Sequence, residues 1–220
     1  MAVVPIFPLG TVLMPAMHLP LQVFEPRYLR LLRDLADRTP PERVFGVVGI
    51  RHGHEVGEGR HGELFDVGCT ARLDAADVIR EEGRPVIVRV ATVGMDRFRL
   101  IRMLDAGTPY ACAEVELMPD VDDGTDPAEC RRLADRLVLH FARYQRAVGS
   151  PETLLPGPTE RVAAQVMQAM PFSIGDRQRV LEAGDEGGRL RTALGLVQRE
   201  LEIVTTFRAV PGSRGEVNPN

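Results

Sequence analysis

Hydrophobic residues recur along this chain with two different periods, and the change from one to the other falls between Pro119 and Asp126. Before that point the period is about two, the signature of half-buried strands. Val3 to Leu9 and His18 to Val23 are short apolar runs punctuated by proline, which predicts strands of an edge-like kind because proline cannot donate to a ladder. Val44 to Ile50 reads as an internal strand. From Leu64 to Leu73, Phe65, Val67, Cys69, Ala71 and Leu73 fall on one face, against Asp66, Thr70 and Arg72 on the other. The alternation continues in Val86, Val88 and Val90, then in Arg97 to Leu100, then from Ala111 to Leu117; Gly94 and Gly107-Thr108-Pro109 separate these segments. One helix interrupts the series. Pro26 opens it at the tolerated first position, Tyr28, Leu31, Leu32 and Leu35 give it a buried face, and Thr39-Pro40-Pro41 ends it.

Beyond the acidic, glycine-containing stretch 119–126 the period becomes about 3.6, so the spacing predicts a helical second half. Asp126, Pro127 and Glu129 form a helix start, followed by the stripe Leu133, Leu137, Phe141, Tyr144 and Val148 and by the stop Gly149 and Pro151. A second helix runs from about Thr159 to Met170, a third begins at a Ser173 cap with Asp176 three residues on, and a fourth spans about Asp185 to Arg208. The expected organisation is a β-rich unit over 1–118, a linker over 119–126, a helical unit over 127–210 and a disordered tail over 211–220.

Composition removes several chemistries. All 27 basic residues are Arg and none is Lys, so a Walker A loop, a Ser-Lys dyad and a Schiff base cannot be built. The serines are Ser150, Ser173 and Ser213, and no Gly-x-Ser-x-Gly elbow surrounds any of them. A net charge of -4 disfavours nucleic acid and anionic membranes as partners. Cys69, Cys112 and Cys130 are odd in number and far apart, which fits reduced thiols in a cytoplasmic protein. Neither a secretory signal nor a membrane span is expected, since Pro15 and Pro20 interrupt the richest apolar run, Thr11 to Phe24.

Several motifs stand in one order along the chain: Pro5-Ile6-Phe7-Pro8-Leu9, Leu13-Met14-Pro15, and Leu19-Pro20-Leu21-Gln22-Val23-Phe24-Glu25-Pro26-Arg27-Tyr28. They continue in Phe45-Gly46-Val47-Val48, Val67-Gly68-Cys69-Thr70-Ala71, Val93-Gly94-Met95-Asp96-Arg97-Phe98 and Pro109-Tyr110. Together they resemble the N-terminal, substrate-binding domain of the Lon protease family, over roughly residues 3–208. The resemblance implies an α+β fold: a twisted six-stranded pseudo-barrel of PUA-like type with one helix, then a helical bundle. It also implies recognition of unfolded or tagged polypeptides, for a separate protease to receive. No counterpart of that family's ATPase or protease domains follows within the 220 residues, so a non-catalytic role without cofactor is expected. An RNA-binding module is the alternative, permitted by a PUA-like topology and opposed by the charge.

The segment singled out for contact is Glu25, Arg27, Tyr28 and Arg30 at the start of the helix, with Met14, Met17 and Phe24 on the adjacent loops as an adaptable apolar surface. For Tyr28 and the two methionines a second reading stands beside this one, in which they plug the core. His52, His54 and His61 could ligate zinc, but the glycines among them predict a solvated loop and no metal site. Cys130 has no histidine as helical neighbour and is not expected to be a nucleophile. Arg97, Arg99 and Arg102 are expected on a solvated strand face, with Phe98 turned inward.

Overall fold

Each half of the first strand faces a different partner. In β1 (Ala2–Leu9), residues 2–5 run antiparallel to β7 (Cys112–Met118), and residues 6–9 run parallel to β3 (Val44–His52). The strand is therefore not the edge that Pro5 and Pro8 suggested. It closes the sheet, and because its two halves bond mainly in opposite directions, each proline forfeits a donor that the ladder does not require. The structure, a computed structural model, describes residues 1–52, 63–80, 85–120, 126–153, 155 and 161–207.

The remaining strands complete the ring. β5 (Val67–Ile79) pairs with β3 and with β6 (Ile87–Leu104), β6 pairs with β7, and the order β1-β7-β6-β5-β3 returns to β1. A two-residue strand, β4 (Glu63–Leu64), lies beside β3, and β2 (His18–Val23) adds to the first half of β6. The sheet thus has seven strands. Two differences from the sequence reading cancel in the count. Leu64 is parted from β5, and the segments on either side of Gly94 are one strand of 18 residues. The barrel interior is small: Ile6, Val48, Phe98, Ala113 and Val115 fill it, and Gly46 and Gly68 make room for the Phe98 ring, which a Cβ there would meet at 2.8 and 2.5 Å.

The opposite face of the sheet carries the larger core. Phe7, Phe45, Val47, Cys69 and Ala71 join the buried face of α1 (Pro26–Ala36), in which Tyr28, Leu31, Leu32 and Leu35 are buried as the spacing predicted. The same cluster runs on into α2 (Pro127–Val148), α3 (Val162–Ala169), α4 (Ile174–Glu182) and α5 (Glu186–Phe207). The expected boundary at 119–126 is therefore not a boundary of the core, although residues 121–125 lie outside the described set. So do residues 208–220, and with them the expected tail. Asp126 caps α2 by accepting from Ala128 N at 2.9 Å, while the Glu129 carboxylate accepts from Arg191. Ser173 caps α4, accepting from Asp176 N at 3.1 Å.

Candidate functional site

The candidate segment begins where β2 ends. Phe24 is 53% exposed, a large aromatic side chain left on the surface directly after the buried Val23. Glu25 then holds extended backbone angles, its carbonyl accepts from Tyr28 N and Leu29 N at 3.0 and 2.9 Å, and Pro26 starts α1 without a wasted donor. The side chains that follow are stacked. Tyr28 lies on Phe7 with ring centroids 3.8 Å apart and planes at 10°, and the Arg27 guanidinium lies 4.6 Å above the Tyr28 ring. Glu25 closes the stack, accepting from Arg27 Nε at 2.9 Å. Arg30 is the most exposed member, at 61% of its side chain, and pairs with Asp34 at 2.9 Å. The Tyr110 hydroxyl donates to the same Asp34, which, with Arg30, holds that carboxyl below its usual range; burial and the carboxylate push Tyr110 up to about 12.

Three of the seven expected contact residues are not on the surface. Tyr28 is in the stack just described, and Met14 and Met17 are buried in the β1–β2 connection, which crosses β6 at Gly94. Ala16 N donates to Gly94 O at 2.8 Å and Gly94 N to Met17 O at 2.9 Å, so the connection is a strap bonded to the sheet. Its tight turn puts Ala16 at a φ of 60°. The methionines take the second reading offered by the sequence: thioether side chains fill the core beneath the strap instead of an adaptable surface. The surface that remains consists of Phe24, Arg30 and the half-buried Glu25–Arg27 pair.

Arg97 departs most from the sequence reading. It is 2% exposed, and its guanidinium reaches across to the α4–α5 turn, donating to the carbonyls of Leu181, Ala183 and Gly184 and to Asp120 Oδ1. Arg189 holds the same carboxylate. Arg102 pairs with Glu114 at 2.7 Å, so the expected basic strand face keeps only Arg99 both exposed and unpaired among the described residues. No signal in the strand alternation pointed to Arg97, because the period says that a residue faces away from Phe98 but not that a helical turn covers it.

Elsewhere the structure holds a cavity of about 180 Å³ between the strap and the helices, with Pro15, Ala164, Glu186 and Arg189 in its wall. A shallow groove of about 530 Å³ runs between α2 and α5 over Leu201, with Arg143 and Glu202 on opposite sides. Cys69 and Cys112 are buried and Cys130 half-buried; burial, then Glu186 and Asp185, push the Cys130 thiol up, away from the reactive thiolate. Among the described residues no three His, Cys, Asp or Glu side chains are grouped as metal ligands. His54 and His61 lie outside the described residues, so the histidine loop is not placed. No helix among the described residues is long and apolar enough to cross a membrane.

Comparison with known proteins agrees with this architecture over nearly its whole length. A family model described as the ATP-dependent protease La (LON) substrate-binding domain matches residues 3–199. Lon protease 2 of Sorangium cellulosum is 32% identical over 216 residues, which are 94% of this chain and 26% of that protein. Lon protease 2 of Thermus thermophilus is 27% identical over 208 residues, 91% of this chain and 24% of the relative. The chain thus spans about a quarter of the length of the curated relatives it matches. Among solved structures, a Lon N-terminal domain protein from Xanthomonas campestris superposes with a TM-score of 0.62 at 28% identity, covering 89% of this chain and 98% of that one. The N-terminal domain of Mycobacterium avium complex Lon protease superposes with a TM-score of 0.61 at 15% identity, a likeness of fold alone. The closed sheet capped by α1 and followed by four helices, together with the match over residues 3–199, means that this chain belongs to the family of Lon substrate-binding domains.

Proposed function

We propose that this domain is a non-catalytic recognition module in the cytoplasm, which holds unfolded or tagged polypeptide segments for a separate protease. The observation that carries the reading is Phe24: an aromatic side chain 53% exposed beside Arg27 and Glu25, whose conformations are tied down by the Phe7–Tyr28 stack. An exposed aromatic side chain beside charges already paired within the domain offers apolar contact without unpairing those charges. Unfolded chains differ from folded ones chiefly in exposed apolar side chains and free backbone groups, which such a surface takes without demanding one sequence. The family's substrate-binding description supports the same class of partner. The half-buried Cys130, its thiol pushed up, and the missing lysine speak against nucleophilic catalysis by a thiolate or an amine. Burial of Arg97 and pairing of Arg102 take away most of the basic face that RNA would have used.

The test is fluorescence anisotropy of labelled, reduced and unfolded casein against the purified domain. Saturable binding that Phe24→Ser weakens at least five-fold, without casein cleavage or ATP hydrolysis, is the expected result. Casein turnover by monodisperse protein, or binding to single-stranded RNA in preference to casein, overturns the reading.

A further inference from the structure

We propose that the free edge of β5, residues 74–79, is a strand-addition site for an extended polypeptide that alternates apolar and basic residues. The proposal rests on the function proposed above and names the class of segment that the domain prefers. β5 leaves the barrel at a bulge between Leu73 and Ala75, where its pairing with β3 has already ended, and from there to Ile79 it is bonded, among the described residues, on one side only, to β6. Which backbone groups are left over follows from the register. Gly94 N donates to Met17 O, so in the continuous β2–β6 ladder Thr92, Val90 and Val88 turn their backbone groups toward β2. Ala91, Arg89 and Ile87 turn theirs toward Ala75, Asp77 and Ile79. The N–H and C=O of Ala76 and Val78 therefore point outward, with no ladder partner among the described residues.

The two edges of this three-stranded ribbon are unlike. On β2 the outward positions are His18, Pro20 and Gln22; Pro20 has no N–H to offer, and Gln168 Nε2 already donates to His18 O at 3.2 Å. On β5 there is neither proline nor a basic residue from Asp74 to Ile79, which are devices that ordinarily blunt an edge. The side chains complete the description of the occupant. One rung of the ribbon reads Val23, Val88, Val78; the first two are buried, and the third is 56% exposed, an apolar row that stops one strand short. The next rung reads Gln22, Arg89, Asp77, and Asp77 is exposed with no ion-pair partner among the described residues. A strand laid on this edge sets an apolar side chain against Val78 and its neighbour in sequence against Asp77, where a basic residue is complementary.

The probe is a fluorescein-labelled twelve-residue peptide alternating Val and Arg, read by anisotropy against the intact domain, with unfolded casein in parallel. The expected result is saturable binding that falls at least ten-fold when alternate peptide nitrogens are methylated, a change that spares every side chain and blocks the ladder. Val78→Pro removes an outward donor and no β6 bond; it lowers peptide affinity at least ten-fold while circular dichroism keeps the native melt. Asp77→Arg shifts preference toward the peptide with Glu in place of Arg. Indifference to N-methylation and to Val78→Pro, with casein binding still lost in Phe24→Ser, overturns the edge site and leaves the proposed function standing. Failure of the wild-type domain to bind either probe overturns both. A dimer that Val78→Pro dissociates in sedimentation overturns the proposal in favour of a second copy as the occupant.

Discussion

Arg97 donates from Nη2 to Asp120 Oδ1 across 2.9 Å, and this contact lies where the barrel meets the helices. The two partners are not equivalent. Arg97 is buried and also serves three carbonyls of the α4–α5 turn, whereas Asp120 is half exposed and keeps Arg189 if Arg97 is lost. Removing a buried donor that has several acceptors costs about 3 kcal/mol, roughly 6–12 °C in Tm for a chain of this size. Arg97→Met is expected to lower Tm by that amount and Asp120→Asn by less than half of it. Equal effects in differential scanning calorimetry would show that the ion pair, not the carbonyl cluster, is what Arg97 contributes.

Gly94 gives a second prediction. A Cβ there would lie 2.0 Å from the carbonyl oxygen of Met14, and because the obstacle is backbone the strap has to move. Overpacking of this kind costs about 1–3 kcal/mol or more. Gly94→Ala is expected to destabilise the domain by at least that much in urea titration and to open the 10–17 segment to limited proteolysis. Gly107→Ala is the control: its φ is 66° with nothing within 4 Å, so the cost is backbone strain of about 1 kcal/mol and the strap stays closed.

Those two glycines also show what the sequence could and could not disclose. Gly107 sits beside Thr108-Pro109 and was legible as a turn; Gly94 was read as a break and is instead a close approach inside an unbroken strand. Period and caps located β2, α1, α2 and α4 because those signals are local: Pro26 at the first turn, Ser173 with Asp176, Gly149 at a φ of 72°. Burial of Met14, Met17 and Arg97 was not legible in the same way. Each is covered by a segment distant in sequence, and alternation tells which way a side chain points, not what lies over it. Of the contact segment, Phe24 and Arg30 are exposed as expected, and the free edge at Ala76 and Val78 appears only once the register is known.

Acid sensitivity should be concentrated in α4. Burial works to raise the Asp176 carboxyl, but hydrogen bonds from Arg199, Ser173 and Arg179 outweigh it and bring it from 3.8 down to about 2. A carboxyl lowered on folding contributes stability that is complete above its unfolded value and is lost as pH falls toward its folded value. The urea midpoint of the native protein is therefore expected to drop between about pH 4 and pH 2, and Asp176→Asn should be less stable at pH 7 yet flatter across that range. Parallel slopes for the two proteins would place the acid-labile group elsewhere, with Asp120 the next candidate because Arg189 and Arg97 hold its carboxyl low.

Salt separates the two classes of partner most cleanly, because apolar contact and counterion release respond to it so differently. If Phe24 supplies the contact, affinity for unfolded casein is of order micromolar, since a short interface that orders a flexible chain leaves little net free energy. Raising salt from about 0.05 to about 0.5 M should then change that affinity by only a few fold, whereas RNA held by arginines would be released with a steep logarithmic slope. The same logic ranks the substitutions. Arg27 is held by Tyr28 and Glu25, and Arg30 by Asp34, so their charges are already met inside the domain. Replacing both with Ala is expected to weaken casein binding about two- to three-fold through lost rim packing, less than Phe24→Ser does, and to lower Tm by only a few degrees. A double substitution that matches or exceeds Phe24→Ser, together with a steep salt slope, moves the contact from the aromatic ring to the arginines and makes the partner a polyanion.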